Sequence, residues 1–149
     1  MSRVDELSCE FVITIPNKLA AGTLYVSMEY ATVVHRCCCG CGNEVVTPLS
    51  PTDWKLTYDG EGISLHPSIG NWSFKCRSHY WIRGNAVQWA GPMSDVQVKM
   101  VRQHDVETKA AHFDEDTSAK MDMDARSHSK RTPLSLKLVR SILKWFRKL

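Results

Sequence analysis

Cys37, Cys38, Cys39 and Cys41 fall within five residues, Cys-Cys-Cys-Gly-Cys, and Cys76 opens a second segment, Cys-Arg-Ser-His-Tyr. Five of the six cysteines therefore occupy two short stretches, beside His35 and His79. Thiols this close bind a soft metal or do redox chemistry, and the tight spacing favours metal. Cys37 and Cys39 are two residues apart, so at a strand end they point to one face. Gly40 can take a positive φ and fold the chain so that Cys41 returns to the same point. Cys76 then completes a four-thiolate tetrahedron suited to Zn²⁺, tying two hairpins together. Cys38 is left over, and the isolated Cys9 reads as core. His79, in Cys76-x-x-His79, or His35, two residues before Cys37, could replace one thiolate and make the site less closed.

Ser78 and His79 follow Cys76 directly. A backbone anchored by metal is a rigid mount for a catalytic group, so these two are the candidate catalytic residues. Serine catalysis needs a base within hydrogen-bond reach. Neighbours on a strand point to opposite faces, so Ser78 and His79 each need a partner from elsewhere. Ser68 and Ser27 are the candidates for His79; His35 and His66 are the candidates for Ser78. The purely structural alternative has Ser78 capping the knuckle and His79 hydrogen-bonding locally. Trp54, Trp72, Trp81 and Trp89 supply burial in a small domain, and any of them can also line a groove for an extended peptide. Loose sheet edges favour strand addition by a partner tail.

Short β-strands must position these groups. Phe11-Val12-Ile13-Thr14-Ile15 is a β-branched run ended by Pro16, and residues 23–28 and 31–36 read as two more strands, the second leading into the cysteines. Residues 54–58 and 63–65 flank the turn signal Asp59-Gly60. Residues 72–75, 80–83 and 87–89 follow, with Gly84-Asn85 as a tight hairpin turn between the last two. The expected fold is mainly β (α+β), a zinc-stapled open barrel or set of stacked hairpins over residues 1–102. Residues 103–132, polar and poor in apolar partners, read as a flexible linker. Residues 133–149 read as a basic amphipathic helix: Leu138, Ile142, Trp145 and Leu149 form one stripe, and Arg140, Lys144, Arg147 and Lys148 lie largely opposite.

Charge narrows the partners. Residues 1–102 carry nine acids and nine Lys/Arg, whereas residues 133–149 carry five bases and no acid. The body therefore lacks a nucleic-acid signature. The basic tail suits docking on the domain or on a partner, with contact at a membrane surface as the second reading. The N-terminal residues lack the apolar stretch of a signal peptide, and no run is long enough to span a bilayer, so a cytoplasmic setting is expected.

Four blocks in order carry a family likeness: His35-x-Cys37-x-Cys39-Gly40-Cys41-Gly42; Thr47-Pro48-Leu49-Ser50-Pro51-Thr52-Asp53-Trp54; Leu65-His66-Pro67-Ser68-Ile69-Gly70-Asn71-Trp72; and Cys76-Arg77-Ser78-His79-Tyr80-Trp81-Ile82. Over about residues 11–91 the chain resembles the bacterial family known as domain of unknown function 6527, found in ubiquitin-like conjugation (Bub) operons. The resemblance implies a peptidase, of serine type, that trims or removes a ubiquitin-like protein at its C-terminal tail and works beside the conjugation enzymes. It also implies Cys37, Cys39, Cys41 and Cys76 as the metal set and the Ser78-His79 block as the place of catalysis. Cys38 stands where relatives often carry another small residue. Two other functions fit the residues: a metallopeptidase with Glu44 or His79 as base, and a non-enzymatic zinc-ribbon-like binding module.

Overall fold

The computed structural model describes residues 2–129; the helix expected over 133–149 lies outside them. The chain divides into two compact units, the first running Met1–Val106. That unit holds eight strands: β1 (Ser8–Phe11), β2 (Thr23–Ser27), β3 (Thr32–Arg36), β4 (Glu44–Pro48), β5 (Lys55–Tyr58), β6 (Ile63–Gly70), β7 (His79–Arg83) and β8 (Ala86–Trp89). They form two four-stranded sheets, β1-β2-β3-β4 and β5-β6-β7-β8. β1 runs parallel to β2, and every other pair is antiparallel.

The sheets are joined at both ends, much as an open barrel would be. On one side Trp54 N donates to Pro48 O at 3.1 Å, and Leu49 bridges Trp54. On the other side the segment before β1 crosses to β8: Leu7 N donates to Asn85 O, Val87 N to Asp5 O, and Glu6 bridges Ala86. Alternate residues of both sheets point inward into one core, with Leu24, Val26, Val33, Ile63, Leu65, Ile69, Tyr80 and Ile82 at its centre. The expected mainly-β domain is thus present. Gly84 and Asn85 both have positive φ, as a two-residue turn between paired Arg83 and Ala86 requires.

Three local expectations are corrected. The first strand ends at Phe11 rather than Ile15, because β1 pairs with the short β2 and loses its partner there. Residues 72–75 form a turn, closed by Phe74 N to Asn71 O and Arg77 N to Phe74 O, which delivers Cys76 to the knuckle. Residues 103–129 are not an irregular linker but belong to α1 (Asp95–Ser129). That helix contains no Gly or Pro. A reciprocal box opens it: Gln97 N donates to Ser94 Oγ at 3.3 Å, and Ser94 N donates to Gln97 Oε1 at 2.9 Å. Asp95 in the first turn suits the positive helix end and also meets Arg77 at 2.7 Å. Among the described residues, no helix is long and apolar enough to cross a membrane.

Candidate active site and metal centre

The knuckle forms where β3 leaves its sheet. Gly40 and Gly42 both take positive φ, near 82° and 83°, so the chain doubles back after Cys39. Cys37 N donates to Asn43 O and Gly40 N to Cys37 O, which fixes the loop. Arg77, with φ near 45°, makes the matching bend after Cys76. The sulfurs of Cys37, Cys39, Cys41 and Cys76 then lie within 4.8 Å of one another. Individual separations are 3.4 Å for Cys37–Cys39, 3.7 Å for Cys41–Cys76 and 4.0 Å for Cys37–Cys76. Thiolates around a tetrahedral ion with metal–sulfur bonds of about 2.3 Å stand about 3.8 Å apart. The four cysteines therefore form a cluster that could bind a metal ion.

Polar neighbours serve the sulfurs. Asn43 Nδ2 donates to Cys41 Sγ at 3.3 Å. Ser78 Oγ lies 3.1 Å from Cys37 Sγ and 3.6 Å from Cys76 Sγ. Burial raises the Cys37 and Cys39 thiols. Burial opposes ionisation of Cys76 too, but hydrogen bonds from Ser78 and from Cys39 and Cys41 outweigh it and bring that thiol down to about 7. Cys38 stays outside the cluster, fully buried in the core, with its thiol raised to about 12 by burial. Cys9 is half-buried in β1.

His35 joins neither the metal cluster nor a catalytic pair. It is fully buried, its Nε2 hydrogen-bonded to the Tyr80 hydroxyl at 2.9 Å. Burial lowers its pKa to about 4, so the ring is neutral, and its Nδ1 has no partner among the described residues. Asn71 links this pair to the knuckle. Its Nδ2 donates to Ser78 Oγ at 2.9 Å, to Tyr80 at 3.4 Å and to Cys37 Sγ at 3.7 Å.

His79 faces the other way. Along β7 the inward residues Tyr80 and Ile82 alternate with His79, Trp81 and Arg83 on the outer face. His79 Nε2 and Ser68 Oγ are hydrogen-bonded at 3.0 Å. On the ring's far side, Nδ1 lies 3.3 Å from the Gly91 carbonyl oxygen. That carbonyl can only accept, so it holds the proton on Nδ1 and leaves Nε2 to accept from the Ser68 hydroxyl. The expected pairing of His79 with Ser68 is made; the alternative Ser27 is buried elsewhere, on the Ile13 carbonyl at 2.7 Å. The expectation that Ser78 meets a histidine is not: neither His35 nor His66 bonds it, and its hydroxyl is taken up by thiols and Asn71.

A bulge delivers Ser68. Leu65 pairs with Ile82 and Ile69 with Tyr80, so three β6 residues, His66, Pro67 and Ser68, stand opposite Trp81 alone. The His66–Pro67 bond within the bulge is cis. Gly70 pairs directly with His79. A side chain at Gly70 would collide with the Trp72 ring at Nε1, so the bare backbone makes room for the indole. The Trp72 and Trp81 rings then flank His79, at 5.0 and 5.5 Å between centroids. Residue types alone did not single out Gly70, Asn71 or the Gly91 carbonyl. The Gly70-Asn71-Trp72 triplet was the available signal for the first two.

A serine hydroxyl on a histidine whose second nitrogen faces an acceptor is an arrangement that serine hydrolases use. Residues 11–90 match the family described as bacterial ubiquitination-like system serine protease (BubE), and the chain belongs to that family. It is a serine protease of a bacterial ubiquitination-like (Bub) system. No curated protein and no solved structure matches it.

Proposed function

We propose that Ser68 is the nucleophile and His79 the general base of a peptidase that cuts at the C-terminal tail of a ubiquitin-like protein. The observation that carries this reading is the 3.0 Å Ser68 Oγ–His79 Nε2 contact, with Nδ1 set against the Gly91 carbonyl. Ser68 Oγ attacks the scissile carbonyl carbon while its proton passes to His79 Nε2. The C–N bond breaks as Nε2 returns that proton to the leaving amine. Water then attacks the acyl-Ser68 ester and loses a proton to Nε2; the ester C–Oγ bond breaks, the acid is released, and Nε2 returns the proton to Ser68 Oγ. The carbonyl of Gly91 takes the place that a carboxylate holds in three-residue versions, steadying the imidazole without supplying a full charge.

The metal in this reading is Zn²⁺, held by Cys37, Cys39, Cys41 and Cys76. It neutralises thiolate charge and fixes the start of β7. Four sulfur donors leave no open coordination position, which disfavours the metallopeptidase alternative with Glu44 or His79 as base. Ser78 belongs to this staple in our reading, one residue from the base it helps to place. Trp81 belongs to the binding face, and the conjugation enzymes of the same system are the expected associates. A reducing, cytoplasmic setting suits the free thiols of all six cysteines.

The test is a fluorophosphonate probe followed by peptide mapping, together with incubation with a Bub-system ubiquitin-like protein extended at its C-terminus. The adduct is expected on Ser68, with release of the extension. An adduct on Ser78, or release undiminished in Ser68→Ala, would overturn the assignment.

A further inference from the structure

β6 is eight residues long, but β5 pairs with only its first half, from Ile63 to His66. Past that point no strand among the described residues covers the β5 side of Pro67–Gly70. The main-chain groups there have a definite direction. Asn71 N donates to Ser78 O, which makes those two a hydrogen-bonded pair of the antiparallel ladder. The next pair, Gly70 and His79, is then the other kind, with amide groups facing away from each other. His79 obeys this: its carbonyl accepts from Ala90 N, on the β8 side. The N–H and C=O of Gly70 accordingly face the open side.

Across that opening lies β4, the edge strand of the other sheet. Cys37 N donates to Asn43 O, so counting along the β3–β4 ladder makes His35–Val45 a hydrogen-bonded pair and Val34–Val46 the other kind. The N–H and C=O of Val46 thus face away from β3, and no hydrogen bond meets them among the described residues. Val46 and Gly70 line one cavity of about 170 Å³, with Thr47, Ile69, Asn71 and Trp72. A second, of about 580 Å³, continues past Pro48 between Leu49–Lys55 and His66–Pro67. Trp54 walls both, and its buried indole N–H has no partner among the described residues. Ser68 lies on β6 between His66 and Pro67, which line the second cavity, and Ile69 and Gly70, which line the first.

We infer that the seam between β4 and the distal half of β6 is the substrate channel, in which an extended peptide segment pairs as an added strand with the main chain of Val46 and Gly70. This rests on Ser68 and His79 being the reacting pair. The occupant is an unfolded segment such as a chain terminus or tail, because only an extended backbone offers donors and acceptors on both edges at once. A folded surface presents no such double row. Recognition is then largely of main chain, and it brings a carbonyl of the added strand beside the β6 hydroxyl.

The inference is tested with the full chain and a proteome-derived peptide library, cleavage being mapped by mass spectrometry. The best-cleaved peptide is then remade with single N-methyl groups at successive amides. Methylation is expected to lower kcat/KM about tenfold or more at two positions of opposite parity, the amide that faces Val46 and the amide that faces Gly70, with amides outside the seam little affected, since successive amides of an extended strand face opposite edges. Val46→Pro, which removes the outward donor from an edge strand, is expected to cause a similar loss, and Val46→Thr to cause little. Fluorophosphonate labelling of Ser68 reports whether each variant is folded. Tolerance of methylation at every amide, or undiminished cleavage by Val46→Pro, would overturn the channel. So would labelling of Ser68 with no library peptide cleaved, whereas failure to label Ser68 at all would remove the reacting pair itself.

Discussion

Ser78 and His79 are consecutive residues with opposite surroundings. Ser78 is buried, its hydroxyl surrounded by Cys37, Cys76 and Asn71. His79 lies on the outer face between two indoles, with one nitrogen on Ser68 and the other toward Gly91. The pleat of one strand is enough to separate a hydroxyl that serves the cysteine cluster from the base proposed above. Metal bound by the four cysteines would anchor the chain at Cys76, shortly before that proposed base. Closeness in sequence to the cysteine cluster therefore says little about which of two neighbours reaches a partner on the outer face.

The largest expected effect lies on the staple. Removing the metal with a chelator should unfold the sheet domain, a loss of about 10 kcal/mol or more, because the four-thiolate site is closed and forms only in the folded chain. Circular dichroism with zinc titration checks this; an apo-protein that keeps its near-ultraviolet spectrum would break the distinction. On the reactive side, Ser68→Ala should lower turnover by about 10⁴-fold while leaving the melting temperature nearly unchanged. If Ser78→Ala had that signature instead, the two roles would be exchanged.

His35 sharpens the comparison from inside the core. Its folded pKa is about 4 against 6.5 for the free side chain. The unfolded chain therefore takes up the proton first as pH falls. Stability from this group is complete above about 6.5 and is lost progressively down to about 4, by about 3 kcal/mol. Urea unfolding at several pH values should show this slope, reduced in His35→Gln. Gly70→Ala should cost about a hundredfold in turnover, because the new methyl meets Trp72 and displaces the ring beside His79. Smallest is Ser78→Ala, which should cost about 1–3 kcal/mol of stability and weaken metal retention, with turnover of the folded fraction largely kept.

Much of the staple was legible in residue types. Four cysteines at this spacing, with Gly40 to turn the chain, leave few other arrangements, and Cys38 fell out as the spare. The reactive pair was only half legible. His79 and Ser68 could be named as partners, but their meeting depends on a three-residue bulge opposite Trp81, which no composition rule announces. Residues 72–75, Trp-Ser-Phe-Lys, looked like a strand because aromatics favour sheets, yet turn hydrogen bonds toward Asn71 and Phe74 prevailed. β4 went unread because its few residues before Pro48 make too short a pattern. The apolar residues of helix α1, such as Val96, Met100, Val106 and Phe113, are scattered rather than gathered in one stripe, so periodicity gave no sign of it, although Ser94-Asp95-Val96-Gln97 carried the start signal.

The segment ahead of β1 gives the fold an order of assembly. Val4 N donates to Cys38 O, Leu7 N to Asn85 O, and Val87 N to Asp5 O. These residues ahead of β1 thus wait for β8, the last of the strands described. Contacts between such distant parts of a chain are slow to form, since the whole intervening loop must be closed first. Cys76 emerges before Ala86, so the four thiols can gather while the N-terminal segment is still unpaired on its β8 side. Metal capture would then come early and the final stitching late, which makes ion availability during synthesis a determinant of yield.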